Sequence, residues 1–535
     1  MKQIYFFMLL LLSILWNYSK ANSDVFCKIK QDTTVSKKHL ELGITKYKNK
    51  DYMGAIAEFE SAVKNDASNW KAYRYKGDAE FELNKYEESI QDYTKALTIN
   101  KSDMLCYKGR AEAYRMSENY FQEAVEDYTT VIQMDPNDAV MYFGRASSYY
   151  GLSKFQESIE DYTEVIQFHP KHPMSYAKRG MAYLNYGKYR ETVKDFNKYL
   201  SLGGDDPYGA YFYRGRAYLY LSKTDSALTD FKNNEKRFPD NAKTQRYLAM
   251  TYAAKNDSIM ANRHFEQSIK LNPNDPDTYY FWASAELKFG NYFKTIELLE
   301  TGLEKLKSEP SFDAYYRLGW AKAEVRDTLG AMKAFNKAIA IDSNRYELYE
   351  RRAIFLANDL QYKEQVIKDF TSILRIFGDT SVVNSGYLYM ARSYVKFFSG
   401  DTLGAKSDIN KAIEIMPKEP NYYIYRAVYN FHLTTDKELI LKDLDKAISL
   451  DNNNWEAYLG KTAVYNRYEN DHRKACENLK KGIKNGAKVY KEIEDYICNG
   501  RLPKDGIVPN LFFYLTPKLK NRGLTTDNKK INNLR

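Results

Sequence analysis

The sequence of 535 residues has few of the residues and none of the motifs on which most enzymes depend. It contains six histidines and four cysteines. It has no phosphate-binding loop, dinucleotide-binding glycine fingerprint, nucleophile elbow or metalloprotease helix motif. His169 and His172 lie at ligand-like spacing, but no cysteine or pair of acids accompanies them, which favours a solvated loop over a metal site. We therefore expect no catalytic residue, no metal and no cofactor.

Proline is also scarce. There are 13 prolines against 49 tyrosines, while 44% of the residues are hydrophobic and 28% are charged. This balance excludes a disordered chain and favours helices that pack through aromatic side chains.

Long apolar runs are confined to the N-terminus. Lys2, the apolar run 4–16 and the small residues Ala21 and Ser23 predict a signal peptide over 1–23. An N-terminal extension then spans 24–35. The run is shorter than the roughly 20 apolar residues of a membrane-spanning helix. We expect an exported protein, periplasmic or secreted; an uncleaved N-terminal membrane anchor is the alternative, and only then would the chain contact a membrane.

Most of the net charge of +10 lies at the two ends of the chain. Lys2 and Lys20 precede the folded region, and the segment 518–535 is strongly basic. The long region between them has no concentrated basic stripe, so nucleic acid is not an expected partner.

An internal repeat of about 34 residues fills positions 36–486. The eighth place of every unit is small or, in the last unit, a threonine. The thirteen units open near Ser36, Trp70, Met104, Ala139, Pro173, Tyr208, Ala242, Pro276, Phe312, Tyr346, Gly386, Pro420 and Trp455.

A second small residue and a bulky residue recur in the latter half of the units. The twentieth place is small in most units, and the twenty-fourth is bulky, as at Phe59, Tyr93, Tyr128 and Phe196. Some units, such as those opening at Met104 and Trp455, need a one-residue insertion to stay in register. Small residues let two helices approach closely while large ones fill the wedge between them, so each unit is predicted to be a helical hairpin.

This pattern resembles the tetratricopeptide repeat. The glycines Gly187, Gly290 and Gly400 at the fifteenth place of their units also fit it. The resemblance implies an all-α, right-handed solenoid of about thirteen hairpins, a groove lined by the first helices, and a role in protein–protein assembly. Residues 487–535 are expected to form a capping helix and a partly disordered basic tail.

Many units carry an arginine just before the small eighth residue and an aspartate just before the bulky residue. Both are missing from the units that open at Ala242, Pro276 and Phe312, so their presence varies together. We predict a structural ion pair between the two helices of one unit rather than between neighbouring units. The pairs are Arg110 and Asp127, Arg145 and Asp161, Arg179 and Asp195, Arg214 and Asp230, Arg352 and Asp369, Arg392 and Asp408, and Arg426 and Asp443.

Protein or peptide partners are expected to bind aromatic side chains on the first helices. The stretch 242–345, which lacks the ion pairs, is a candidate docking surface; the alternative is that Trp282 replaces a charge pair in the core. No unit has the asparagine at its ninth place that chaperone adaptors use to clamp a C-terminal carboxylate. The candidate partner-binding residues are Phe143, Tyr150, Phe212, Tyr220, Tyr280, Trp282, Tyr316, Trp320, Phe397 and Phe398.

Two cysteines lie near the end of the repeats. In an exported chain Cys476 and Cys498 are predicted to form a disulfide that fastens the capping helix, with Ile493 and Ile497 supplying its packing. Cys27 and Cys106 are left unassigned. The predicted function is a non-catalytic scaffold or adaptor of the cell envelope or the extracellular space; the alternative is a membrane-tethered assembly factor or chaperone-like subunit of an envelope complex.

Overall fold

A computed structural model describes residues 32–204, 209–305, 312–357, 359–377, 382–489 and 491–499. The predicted signal peptide 1–23, residues 24–31 of the extension, which include Cys27, and the basic segment 518–535 lie outside these residues. The described chain forms two compact units, with the boundary between Leu271 and Asn272.

The first unit consists of seven antiparallel helical hairpins. Each hairpin consists of a first helix and a second helix, and most of these helices have 13 or 14 residues. The helices are α1 (32–48), α2 (Tyr52–Asn65), α3 (Trp70–Glu82), α4 (Tyr86–Ile99), α5 (Met104–Met116), α6 (Phe121–Met134), α7 (Ala139–Gly151), α8 (Phe155–Phe168), α9 (Pro173–Asn185), α10 (Tyr189–Ser201), α11 (Ala210–Tyr220), α12 (Thr224–Arg237), α13 (Ala242–Ala254) and α14 (Ser258–Leu271).

The second unit consists of six further hairpins and a final helix. The helices are α15 (Pro276–Phe289), α16 (Tyr292–Lys305), α17 (Phe312–Glu324), α18 (Thr328–Ile341), α19 (Tyr346–Leu356), α20 (Lys363–Phe377), α21 (Val382–Phe398), α22 (Thr402–Ile415), α23 (Pro420–Leu433), α24 (Lys437–Leu450), α25 (Trp455–Val464), α26 (His472–Lys484) and α27 (Lys491–Asn499). The all-helical architecture of paired hairpins predicted from the repeat is therefore confirmed.

Side-chain size explains how the two helices of a hairpin meet. Phe196 on α10 has no exposed surface and packs under Gly180 of α9, where an added Cβ would lie 3.0 Å from the ring. In the hairpin of α11 and α12 the corresponding distance, from Gly215 to Phe231, is 2.8 Å. Large rings and small crossing points thus interlock, and cutting such a ring back to alanine costs about 3–5 kcal/mol.

Local signals set where the helices begin and turn. Proline stands at the start of α9, α15 and α23, where its missing N–H and fixed φ do no harm. Gly187, Gly290 and Gly400 adopt positive φ of 84°, 83° and 89° between the helices of their hairpins.

The predicted insertions change only the turns. The hairpin that opens at Met104 has a longer turn before α6, whereas the last hairpin absorbs its extra residue in a π-helical turn over Tyr465–Glu469.

The last helix covers the end of the second unit. Ile493 and Ile497 are 3% and 0% exposed and pack on the apolar cluster of the final hairpins. Cys476 on α26 and Cys498 on α27 form a disulfide. Cys106 is a buried free thiol on α5.

Candidate partner-binding face

Each of the seven arginine–aspartate pairs joins the two helices of one hairpin. Arg179 on α9 donates from Nε and Nη2 to the two carboxylate oxygens of Asp195 on α10, both at 2.8 Å. The same two-pronged contact joins Arg110 to Asp127, Arg145 to Asp161, Arg214 to Asp230, Arg352 to Asp369, Arg392 to Asp408 and Arg426 to Asp443.

These pairs are buried in the seam between the helices. Asp195 is 5% exposed, and burial raises the pKa of its carboxyl although the hydrogen bonds and charge of Arg179 oppose the rise. The rings of Tyr176 and Tyr183 each lie 5.7 Å from the guanidinium carbon. A buried carboxylate of this kind depends on its cation, because removing one partner leaves an uncompensated charge.

Sequence reasoning missed a third contact of the same arginines. Arg179 also donates from Nη1 to Thr163 Oγ1 of α8, at 3.0 Å, so its guanidinium links two consecutive hairpins. The acceptor is always a threonine or asparagine that directly follows the bulky residue of the preceding hairpin. This recurring residue type is the sequence signal that could have revealed the contact. The other acceptors are Thr94 for Arg110, Thr129 for Arg145, Asn197 for Arg214, Asn336 for Arg352, Thr371 for Arg392 and Asn410 for Arg426.

Two hairpins use lysine where seven others use arginine, and this too was missed. Lys76 on α3 lies 3.2 Å from Asp92 and 3.5 Å from Glu80. Glu80 is 5% exposed, and burial together with the neighbouring Asp92 raises its pKa to about 8. In the last hairpin, Lys461 instead reaches back 2.6 Å to Asp445 of α24.

Glu58 of the first hairpin is paired although Leu42 stands at the arginine position of that hairpin. Its carboxylate lies 2.8 Å from both His39 Nδ1 and Lys46 Nζ. His39 and Lys46 stand at other positions of α1. Comparing only the arginine position between repeat units therefore does not reveal them.

Trp282, proposed from the sequence as a partner-binding residue, is a core residue. It is 7% exposed, and its indole Nε1 donates to Glu286 at 3.1 Å. It stands at the arginine position of its hairpin, which faces the seam between helices and not the surface. Trp282 therefore lies in the core as the alternative expected, although its contacts include Glu286 and Lys294 and are not purely apolar.

The other hairpins without an ion pair also fill the seam with uncharged groups. Leu248 is fully buried on α13, and His264 on α14 donates from Nδ1 to Gln245 Oε1 at 2.7 Å while its ring stacks on Tyr252. Leu318 and Ala334 are 7% and 4% exposed in the hairpin of α17 and α18.

Tyr220 and Phe398 are the most exposed of the candidate aromatic residues. They are 56% and 37% exposed, and both lie at the C-terminal ends of first helices. Tyr220 stacks on Tyr189 with ring centroids 4.5 Å apart. The half-buried candidates are Phe143, Tyr150, Phe212, Tyr280, Tyr316, Trp320 and Phe397.

The half-buried rings pack against the next first helix and keep part of their surface open. Phe212 on α11 lies 5.2 Å from Tyr247 on α13, edge to face. In the second unit Arg351 on α19 lies 4.5 Å from the ring of Trp320 on α17. Aromatic side chains held rigid in this way offer contact area at little cost in conformational entropy.

Tyr280 belongs to a polar group beside a cavity in the second unit. Its hydroxyl contacts Asp313 and accepts a hydrogen bond from Arg317 Nε at 3.1 Å, joining α15 to α17. The adjoining cavity has a volume of about 310 Å³, and Phe281, Leu299 and Leu303 contribute to its mostly apolar lining. Its volume lies at the lower end of the range of ligand-binding pockets, roughly 300–1,000 Å³.

Within the described ranges, no group of three histidine, cysteine, aspartate or glutamate side chains is arranged to hold a metal ion. None of the helices in that part of the chain combines the length and apolarity needed to cross a bilayer.

Tandem helical hairpins with small and bulky residues at fixed places define the class of α-helical repeat proteins. Comparison with known families narrows the class, since tetratricopeptide repeat models match residues 40–103, 109–173 and 312–345. The matched repeats, and the same paired helices elsewhere in the described chain, identify this chain as a tetratricopeptide repeat protein. It is accordingly a protein-interaction scaffold.

Several solved structures are similar over part of the chain. The MamA protein is 22% identical, with 31% of this chain and 91% of that one covered and a TM-score of 0.30. A tetratricopeptide repeat protein from Parabacteroides merdae ATCC 43184 is 16% identical, with 47% and 99% covered and a TM-score of 0.36. YrrB, described as a TPR protein with an unusual peptide-binding site, is 18% identical, with 35% and 95% covered and a TM-score of 0.29.

Proposed function

We propose that the chain is a non-catalytic, exported scaffold that holds protein or peptide partners along the face of its first helices. The observation that carries this proposal is the placement of rigid aromatic side chains with open edges on first helices of both units, from Phe143 to Phe398. Aromatic anchors of this kind supply a large share of the energy of protein interfaces. The cavity beside Tyr280 adds a place for an apolar side chain.

Export is the second part of the proposal. It is supported by the N-terminal apolar run and by the Cys476–Cys498 disulfide, since disulfides persist mainly in oxidising compartments. Sequencing the mature N-terminus tests it: a start near Asn22 or Asp24 supports release, whereas a start at Met1 supports the membrane-tethered assembly factor.

Site-specific photo-cross-linking in the native host tests the binding face. A photoreactive phenylalanine analogue replaces Tyr220 or Phe398 on the first helices. The control position is Phe293, which is 78% exposed but lies on the second helix α16. We expect discrete protein adducts at Tyr220 or Phe398 and not at Phe293; adducts at Phe293 alone, or at all three positions equally, would contradict the proposal.

A further inference from the structure

The cavity of the second unit lies where the repeat leaves out a ring. Every hairpin of the first unit has phenylalanine or tyrosine at its twenty-fourth place, whereas the hairpin of α15 and α16 has Leu299 there. Leu299 is 2% exposed and lines the cavity of about 310 Å³ beside Tyr280. The smaller side chain therefore leaves part of this helix junction unfilled.

The second ring that occupies such junctions is missing as well. At three junctions of the first unit the ring at the twenty-fourth place stacks on a tyrosine of the next first helix, as Phe196 does on Tyr213 with ring centroids 5.8 Å apart. The other two stacked pairs are Phe59 with Tyr75 and Phe231 with Tyr247. On α17 Arg317 stands at the place of this tyrosine, so Leu299 and Arg317 replace both rings of the pair.

Two other hairpins of the second unit also lack the ring, but neighbouring groups take its place. Tyr425 of α23 packs on the apolar cluster that contains Ile409. Gly460 lets α25 approach Leu444 so closely that an added Cβ would lie 2.7 Å from Leu444 Cδ2. Beside Leu299, the next first helix contributes Ala314 to the lining, and its single methyl group is too small to fill the place of a ring.

Hydrogen bonds fix the wall of the cavity at Tyr280. Its hydroxyl contacts Asp313 and accepts a hydrogen bond from Arg317 Nε at 3.1 Å. Arg317 Nε also donates to Asp313 Oδ2 at 3.0 Å, so the three groups join α15 to α17. Because this bridge holds the Tyr280 ring at the wall, the ring does not turn inward, and the cavity is formed before any ligand arrives.

The lining of the cavity extends from the protein surface to the core. Asp277 is exposed, Phe281 and Leu303 are half-buried, and Ala314 is 6% exposed. A side chain of another protein can therefore enter the cavity without unfolding the hairpin.

The volume and the lining both suit an aromatic ring. An apolar cavity of about 150 Å³ is sufficient to hold benzene. At about 310 Å³ the cavity beside Tyr280 has room for a phenyl, phenol or indole ring. Water inside a mostly apolar cavity has few polar partners, and its displacement by an apolar group favours binding.

On the basis of the proposed function, we propose that the cavity beside Tyr280 binds an aromatic side chain of a partner protein, which takes the place of the ring that the repeat leaves out at Leu299. The bound ring packs on Leu299 and Leu303 and against the wall that Tyr280 forms. The restored contacts recover the dispersion energy that an unfilled junction lacks.

Blocked single amino acids test this preference with the full chain. The N-acetyl amides of phenylalanine, tryptophan, leucine and alanine each present one side chain without charged termini. Titrations followed by saturation-transfer NMR give their affinities. We expect the phenylalanine and tryptophan amides to bind at least about tenfold more tightly than the alanine amide, with leucine between them, because a ring removes more apolar surface from water.

Leu299→Phe restores the ring of the repeat and should close the cavity from within. The phenylalanine amide should then bind at least about tenfold more weakly, while the unfolding temperature stays unchanged or rises because the new ring fills empty space. Leu329→Phe is the matched control, since it makes the same substitution at a side chain that is 68% exposed on α18. It should leave binding of the amide unchanged.

If Leu299→Phe instead lowers the unfolding temperature, Leu303→Cys decides. Leu303 is a half-buried residue of the lining, so the phenylalanine amide should slow alkylation of the new thiol by a maleimide at least about twofold. The alanine amide should not slow it. In the control Leu329→Cys, neither amide should change the rate of alkylation.

The proposal is overturned if the leucine or alanine amide binds as tightly as the phenylalanine amide, if none of the amides binds, or if a stable Leu299→Phe variant still binds the phenylalanine amide at full strength. Unprotected Leu303→Cys would overturn it as well. Tighter binding of free phenylalanine than of its blocked amide would assign the cavity to a small molecule, with the same consequence. Any of these results together with adducts at Tyr220 or Phe398 would remove only the aromatic anchor, whereas absent adducts would remove the proposed function.

Discussion

At the scale of single residues, one guanidinium fastens three helices. Arg179 contacts Asp195 within its hairpin and Thr163 in the hairpin before it. The sequence predicts the first contact, because arginine and aspartate come and go together. It hides the second, since threonine and asparagine are common on helix surfaces and only the structure shows which of them a neighbouring arginine reaches.

Breaking one such pair should be costly, whereas removing both members should not. Arg179→Leu leaves the buried Asp195 without its cation and is expected to lower the free energy of unfolding by about 3–5 kcal/mol. Adding Asp195→Ala should restore most of this loss, because the hairpin with Leu318 and Ala334 shows that an apolar seam is compatible with the fold. Urea unfolding measures the free energy of unfolding of the single and the double variant.

The control for this cycle is Arg190→Leu, which removes an exposed arginine from α10 and should change stability little. A double variant as unstable as the sum of the two single variants would show that the pair is not coupled.

Glu80 should make the stability of the first hairpins depend on pH. Its pKa is raised to about 8 in the folded chain by burial and by Asp92, against an ordinary value of 4.5. The folded state therefore holds the proton more tightly, so the stabilisation is complete below pH 4.5 and is lost as the pH rises through about 8.

Between these two pH values the free energy of unfolding should fall by up to roughly 1.4 kcal/mol per pH unit. Glu80→Gln should flatten this slope, while Glu88→Gln, an exposed change on α4, should leave it unaltered. Urea unfolding at several pH values provides the comparison, and an unchanged slope in Glu80→Gln would contradict the assignment.

At the scale of the helical hairpin, the turn geometry is more general than its glycines suggest. The fifteenth place of other units is occupied by non-glycine residues with positive φ, such as Lys50 at 62° and Arg326 at 63°. The left-handed turn is therefore imposed by the two helices that it joins, and sequence alone revealed it only where glycine happens to occur.

Replacing Lys50 by glycine should stabilise the first hairpin. The left-handed conformation costs a non-glycine residue about 1–2 kcal/mol, and glycine removes this cost. Because glycine is also more flexible in the unfolded chain, part of the benefit is offset, and the free energy of unfolding should rise by about 0.5–1 kcal/mol. Lys38→Gly, within α1, should instead destabilise by about 1 kcal/mol. Thermal unfolding of the two variants must shift in opposite directions.

The disulfide fastens one element. It joins residues separated by 22 positions, so its removal in Cys476→Ser with Cys498→Ser should weaken the attachment of α27 by about 3 kcal/mol. Faster hydrogen exchange confined to α26 and α27 is the expected result, with the hairpins around the free Cys106 as the internal control. Uniformly faster exchange across the chain would show a wider role for the bond.

At the scale of the whole molecule, the number and order of the hairpins follow from the repeat, because side-chain size at fixed places specifies each helix crossing. The binding residues follow less completely. Trp282 and Trp320 are equally conspicuous in the sequence, but the first stands at a seam position and is 7% exposed, while the second stays half-open on the neighbouring helix. Exposure depends on which neighbour covers a side chain, and a repeat pattern does not report that.

The periodicity also continues unchanged across the boundary between Leu271 and Asn272, so the division into two compact units could not be predicted from it. Both units nevertheless present aromatic side chains on their first helices, which is why the binding face is proposed for each of them.

Hydrogen–deuterium exchange of the full chain, alone and with a partner captured at Tyr220 or Phe398, distinguishes binding on the first helices from binding elsewhere. Binding should slow exchange in first helices, such as α11 or α21, while the paired second helices α12 and α22 change little. Protection confined to second helices, or to residues beyond the hairpins, would contradict it.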